Sequence, residues 1–192
     1  MALNPPETVW IVHGSLRRSR ANGPGERFVL WVQGCTLGCH GCFNPGTHSA
    51  MGTPVSVDSV LTQVLQLPDL EGVTLTGGEP LQQPEALEEF CRGLKKRSDL
   101  GVIVLTGYSV EEIRADERLM AASQDVDVLV AGRYNSRLHL GAGLRGSSNK
   151  SYWFLTDRYS GEEFEAIPEI EVLVDSQGTL TVTGMVPWSL PV

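Results

Sequence analysis

Short apolar runs recur along the chain and alternate with segments whose apolar residues return at helical spacing. Phe28 to Val32, Val73 to Thr76, Val102 to Leu105 and Val126 to Val130 are each four or five residues long, which suits buried strands. Thr8 to Val12 reads as a further short strand, and the polar, Gly-rich stretch from His13 to Glu26 as the loop after it. Val57, Val60, Leu61, Val64 and Leu65 form one face of a helix that Ser56 or Asp58 can cap. A second helix puts Leu87, Phe90, Cys91 and Leu94 on one face, with Lys95, Lys96 and Arg97 where cations suit the helix dipole. Ser109 and Glu112 have the spacing of a capping box at the start of a third.

Strand and helix thus alternate at least three times, which calls for parallel strands joined by right-handed helical crossovers. The pattern predicts an α/β fold, an open parallel βα barrel or sheet. Beyond it, Gly132 to Lys150 is rich in Gly, Ser, Asn and Arg, too polar to build a core, and reads as a loop over the active face. Ile170 to Val174 and Thr179 to Thr183 flank Asp175-Ser176-Gln177-Gly178, the signal of a C-terminal β-hairpin, which we read as structure without chemistry.

A length of 192 residues predicts a single domain over 1–192, with a core at about 9–150 and an extension at 151–192. With 41% hydrophobic and 20% charged residues the chain is expected to fold on its own. A formal net charge of -8 disfavours nucleic acid as a main partner. Arg17, Arg18 and Arg20 form a local basic stretch, read as a solvated loop, with docking of an acidic partner as the sharper alternative. The opening Met-Ala-Leu-Asn-Pro-Pro-Glu lacks a basic region followed by an apolar one, and no apolar run reaches the length of a membrane span. We therefore expect a cytoplasmic protein without a membrane partner.

The chemistry is concentrated in Gly34-Cys35-Thr36-Leu37-Gly38-Cys39-His40-Gly41-Cys42, which follows a predicted strand. Thiols crowded this closely suit metal ligation in a reducing compartment better than a disulfide framework. Cys35, Cys39 and Cys42, spaced C-x3-C-x2-C, can wrap one face of a [4Fe-4S] cubane and leave its fourth iron without a protein ligand, as a catalytic metal site requires. The rival is a Cys3His zinc site with His40, His13 or His48 as fourth ligand. Against it, zinc sites are usually built from separated ligand pairs, so His13 and His48 are read as polar surface residues. Cys91 is read as a core residue. Thr76-Gly77-Gly78-Glu79-Pro80 ends the next strand, where α/β folds place their ligands, and its glycines allow close backbone approach.

These motifs together resemble the radical S-adenosylmethionine (SAM) superfamily, and within it the activating enzymes of glycyl radical enzymes, most closely the branch that serves anaerobic ribonucleotide reductase. Asn22-Gly23-Pro24-Gly25-Glu26-Arg27, Cys42-Phe43-Asn44, Leu105-Thr106-Gly107-Tyr108, Asp127-Val128-Leu129-Val130 and Leu144-Arg145-Gly146-Ser147-Ser148-Asn149 carry the likeness across most of the chain. The resemblance implies a partial barrel of the radical SAM type that cleaves SAM reductively to a 5′-deoxyadenosyl radical. It implies a large glycyl radical enzyme as protein substrate, and a flavodoxin or ferredoxin as electron donor. Gly77, Gly78 and Glu79, between Thr76 and Pro80, would hold the methionyl amine. Thr106, Gly107 and Arg133 would meet the ribose and carboxylate, Phe43 the adenine, and Asn44 and Arg145 the same cavity. The chain departs from the family's pattern at Ala131, where an Asp is usual, and at Lys150, where a Gln is common. Two other readings stay open: a small radical SAM enzyme with another substrate, and a non-enzymatic iron-sulfur or zinc module.

Overall fold

In the computed structural model, which describes residues 7–185, the core is a seven-stranded sheet. The first six residues, read above for targeting signals, lie outside the described ones. The strands are β1 (Val9–Ser19), β2 (Arg27–Val32), β3 (Thr53–Ser56), β4 (Gly72–Gly77), β5 (Gly101–Leu105), β6 (Val128–Ala131) and β7 (Ser151–Phe154), in the order β3-β1-β2-β4-β5-β6-β7. β2, β4, β5 and β6 run parallel, as the apolar runs predict. β1, β3 and β7 are antiparallel additions at the two sides, and the sheet does not close. The architecture is a partial βα barrel.

Helices α1 (Val57–Leu65), α2 (Pro84–Arg97), α3 (Val110–Ala115) and α4 (Glu117–Ala122) pack on one face of this sheet. Ser56 caps α1 by accepting from Ser59 N, and α3 carries the full Ser109–Glu112 capping box. Alternate strand residues Phe28, Leu30, Val32, Val73, Leu75, Val102 and Val104 meet the helices' apolar stripes, and fully buried Cys91 belongs to this core. The opposite face is covered by the rest of the chain. There Phe164, in α5 (Gly161–Glu165), packs with Tyr159, Ile167 and Leu144 against Ile103, Val128 and Val130. Residues after 150 therefore contribute both a strand of the main sheet and a second core. A separate hairpin follows, β8 (Ile170–Val174) with β9 (Leu180–Gly184).

Two readings from the sequence need correction. The expected loop from His13 onward is the second half of β1, which pairs with β2 as far as Ser19 opposite Arg27. Register shifts between Val12 and Gly14 and between Leu16 and Ser19 break the alternation that would have marked a strand. Arg17 and Arg18 consequently lie in a strand rather than a solvated loop. Arg18 is ion-paired to Glu26 and donates to Pro68 O at 2.6 Å, so its charge is already met within the chain.

The amino ends of the parallel strands are tied by Arg27, which is fully buried. Its Nε donates to Thr74 Oγ1 at 2.9 Å, Nη1 to Pro24 O at 3.1 Å and Tyr159 OH at 2.9 Å, and Nη2 to Val73 O at 2.8 Å and Gly101 O at 2.9 Å. One guanidinium thus joins β2, β4, the start of β5 and the segment before α5. Burial lowers its pKa, and Tyr159 opposes that shift. Replacing it with a neutral side chain would strand several buried carbonyls and hydroxyls at once. Arg27→Met is expected to cost about 3–5 kcal/mol. Arg92→Ala, which breaks an exposed helical pair with Glu88, should cost at most about 0.5 kcal/mol. Guanidinium unfolding of the metal-free protein, followed by circular dichroism, checks both.

Candidate functional site

At the carboxyl ends of the parallel strands, on the face away from the helices, a cavity of about 410 Å³ opens. Cys35, Cys39 and Cys42 line it together with Thr76, Gly77, Gly78, Glu79, Thr106 and Gly107. The two sequence motifs, separated by one βα unit, are thus brought to one place.

The cysteine loop leaves β2 through Gly34, at φ 99°, and turns again at Gly38 and Gly41, both in the left-handed region at φ 62° and 73°. Its backbone is fixed by Gly34 N donating to Thr47 O at 2.8 Å and Cys35 N to His48 O at 3.2 Å. Inside the loop Cys42 N donates to Cys39 O, and Asn44 N points at Cys42 Sγ at 3.4 Å. Gln82 clamps it from β4's side, accepting from Thr36 N at 3.1 Å and donating to Thr36 Oγ1 at 2.7 Å. Gln83 reaches Gln33 O and Ile11 O in the same manner. The sequence reading passed over both glutamines, although their place directly after Gly-Gly-Glu-Pro-Leu was a usable signal.

Gly77 and Gly78 meet that loop before they meet any ligand. A Cβ at Gly77 would lie 2.7 Å from Val32 N and O, and one at Gly78 would lie 2.4 Å from Gly34 O. Gly78 N donates to Val32 O and Glu79 N to Gly34 O. Glu79 is 1% exposed, and its carboxylate faces three protein donors: Oε1 accepts from Leu81 N and Thr106 Oγ1, Oε2 from Gly107 N. Burial raises its pKa against those bonds and against the charge of Lys150. Glu79 therefore ties the end of β4 to the end of β5, and buried Pro80 opens the short 3-10 turn behind it.

The remaining expected residues separate. Phe43 stacks near Tyr134 with ring centres 4.5 Å apart and beside His139 at 5.4 Å, forming an aromatic wall, and Asn44 also lines the cavity. Arg145 lines it too, 3.6 Å from Glu165, with its Nε buried and unpartnered among the described residues. Arg133 faces a neighbouring recess with His40, where it pairs with Glu112, donates to Gly107 O and lies over Tyr108. His13 and His48, read as surface residues, line the cavity, and His13 Nδ1 lies 2.8 Å from Gln33 Oε1. The hairpin, read as carrying no chemistry, supplies Thr181, Val182, Thr183 and Gly184 to the same wall. Asn22 holds it there by donating to Thr183 Oγ1 at 2.8 Å, and Glu171 accepts from Ser19 Oγ at 2.6 Å. Lys150 completes the lining; burial pushes its ammonium down to about 8, while Glu79, Cys39 and Cys42 pull the other way.

This donor set fits a cubane cluster. Among the described residues no three His, Cys, Asp or Glu side chains gather around a single-ion site. Three thiols spread around one cavity instead suit a cluster that offers each thiolate a different iron. Burial pushes the Cys35 thiol up, with Glu79, Cys39 and Cys42 acting the same way against a backbone bond from Leu37, so a bound cation is what would draw Cys35 into its thiolate form.

Residues 21–153 match the family described as 4Fe-4S single cluster domain. The anaerobic ribonucleoside-triphosphate reductase-activating protein of Enterobacteria phage T4 is 37% identical over 142 residues, covering 71% of this chain and 88% of that protein. Its namesake from Pasteurella multocida (strain Pm70) is 34% identical over 145 residues, covering 70% and 91%. The pyruvate formate-lyase-activating enzyme of Listeria monocytogenes serovar 1/2a is 37% identical over 90 residues, covering 44% of this chain and 36% of that enzyme.

Exposure divides the four cysteines: Cys35, Cys39 and Cys42 are partly accessible, whereas Cys91 is buried and its pKa is raised by that burial. In metal-free protein a chromogenic disulfide reagent should titrate the three loop thiols at once. Cys91 should react when denaturant is added; a fourth fast thiol would contradict the packing of α2.

Proposed function

The chain belongs to the family of anaerobic ribonucleoside-triphosphate reductase-activating proteins, radical SAM enzymes built on a 4Fe-4S single cluster domain, and from that premise we propose that it raises a glycyl radical on the reductase itself. The observation that carries the reading is the convergence of three thiols from one loop with the Gly77-Gly78 turn in one cavity at the carboxyl ends of parallel strands. When bound, the [4Fe-4S] cluster and SAM supply one-electron reductive cleavage of the sulfonium, giving methionine and a 5′-deoxyadenosyl radical that can take a hydrogen atom from a glycine Cα.

The residues divide this work. Cys35, Cys39 and Cys42 anchor the cluster, and the clamp from Gln82 to Thr36 keeps the loop that bears them from swinging outward. Gly77 and Gly78 keep the backbone low enough for a ligand's amine to lie beside it, with Glu79 holding that turn in position rather than meeting the ligand directly. Phe43 and Tyr134 offer aromatic faces to an adenine. Trp31, Leu37, Leu105 and Leu144 line the cavity with apolar surface that keeps water from a reactive intermediate.

Two features bear on the partners. The cavity is walled on one side by a two-stranded hairpin whose outer residues Val172, Val174 and Leu180 are 54%, 64% and 58% exposed, and a site of this breadth suits a substrate that brings its own bulk. Cys91 lies in the core, so the described residues hold thiols for one cluster. The reducing electron then comes from outside, and a low-potential flavodoxin or ferredoxin is the donor we propose.

Anaerobically reconstituted protein given SAM and dithionite should release 5′-deoxyadenosine, and Cys39→Ala should bring the yield to background. Added anaerobic ribonucleotide reductase should then show a glycyl radical doublet by electron paramagnetic resonance. Deoxyadenosine without that doublet would keep the radical chemistry and overturn the substrate.

A further inference from the structure

Three long basic side chains stand at or beside the cavity, and two of them already have acids. Arg133 pairs with Glu112 at 2.6 and 3.0 Å, and Arg145 faces Glu165 at 3.6 Å and lies over the ring of Tyr152, with its Nε left unpartnered among the described residues. Lys150 is different. Its backbone N–H donates to Ser147 O at 3.1 Å, and the side-chain amide of the preceding Asn149 donates to Arg133 O at 2.8 Å. Gly132, at φ 121°, turns the chain after β6 alongside Lys150, whose Cα and Cγ lie 3.4 Å from where a Cβ would stand. The side chain is thus delivered into the cavity from the short segment joining the polar loop to β7.

Inside, it acts on Glu79, Cys39 and Cys42 through space alone; among the described residues the ammonium has no hydrogen-bond acceptor. Glu79 cannot turn toward it without giving up Thr106, Gly107 and Leu81. Partly buried on the cavity wall and with no protein acceptor, the ammonium has its N–H bonds open to a ligand that bears an anionic oxygen. SAM carries one anionic group at neutral pH, the carboxylate of its methionyl moiety; its other charges are an ammonium and a sulfonium, both of which a lysine repels.

Resting on the radical SAM reading above, we propose that Lys150 is the residue that holds the carboxylate of SAM, whereas the resemblance gave the ribose and carboxylate to Thr106, Gly107 and Arg133 together. Arg133, held by Glu112 and Gly107 O, shapes the loop after β6 instead.

The test compares two ligands on cluster-loaded protein by isothermal titration calorimetry: SAM, and decarboxylated SAM, which keeps the adenosine, the sulfonium and an amine. Lys150→Gln should weaken SAM about ten- to hundredfold while leaving decarboxylated SAM within about twofold of wild type. Lys150→Arg should keep most of the SAM affinity. Unchanged SAM binding in Lys150→Gln, or equal loss of both ligands, overturns the assignment. Iron content and absorbance of each variant report whether the cluster is loaded. Should the Gln variant fail to load, Lys150→Arg and Lys150→Met bracket the charge, and equal SAM affinity in those two also overturns it. Wild-type protein that loads a cluster but takes up neither ligand would instead sink the radical SAM reading.

Discussion

Everything at the site depends on a backbone contact between the end of β4 and the first turn of the cysteine loop. Gly78 N donates to Val32 O, Glu79 N donates to Gly34 O, and a side chain would overlap main-chain atoms of β2 at Gly77 and of the cysteine loop's first turn at Gly78. The contact continues the β2–β4 pairing past the last paired residues, Val32 and Gly77, into two loops. A methyl group at Gly78 would have to displace Gly34 O and, with it, the turn that presents Cys35. The Gly-Gly pair is therefore first a device for laying one loop on another. Its suitability for a ligand's amine follows, because the same absence of side chains leaves the outer side of the turn open to the cavity.

Stability and chemistry are placed at opposite ends of the parallel strands. Below, Arg27 of β2 gathers hydroxyl and carbonyl groups of Pro24, β4, the start of β5 and Tyr159, in a buried network in which every guanidinium nitrogen has an acceptor. Above, the strands end in glycines and in Glu79, whose burial is compensated by Thr106, Gly107 and Leu81 rather than by a cation in contact. The division lets the upper loops take the shape a ligand needs while the register of the sheet is fixed elsewhere. It also explains why Asn22 belongs to both ends of the argument: its carbonyl accepts from Thr74 beside Arg27, while its amide holds Thr183 of the hairpin against the cavity.

The parallel strands and their helices could be read from the residues because strands covered on both faces are continuously apolar, and helices covered on one face keep a 3.6-residue stripe. β3, β7 and the second half of β1 could not. β3 is a four-residue edge strand of Thr, Pro, Val and Ser, and β7 is partly exposed along most of its length. β1 exposes His13, Ser15 and Arg17 on one side, and its two register shifts scramble what alternation remains. At the site, the cysteines and glycines were legible because their spacing is set by local geometry. His13, His48, Lys150 and the hairpin residues were not, because the fold brings them together from positions far apart in sequence.

The electrostatics of the cavity follow from that assembly. Glu79, and the three cysteines once they hold a cluster as thiolates, place negative charge on one side of the cavity, in a chain whose formal net charge is already -8. The surface basic residues do little to offset this, since Arg18 and Arg133 are closed on Glu26 and Glu112, and Arg145 faces Glu165. A ligand carrying both an ammonium and a sulfonium is drawn toward such a site as a whole, but its carboxylate is pushed out unless one cation opposes it. Lys150 is the side chain in position to do so, entering from the polar loop that also carries Arg145 and Gly146. In the proposed assignment the polar loop orients an amino-acid ligand, whereas the cysteine loop sets where the metal lies. A substitution that weakens the first without touching the second would leave a loaded cluster facing a misdirected sulfonium.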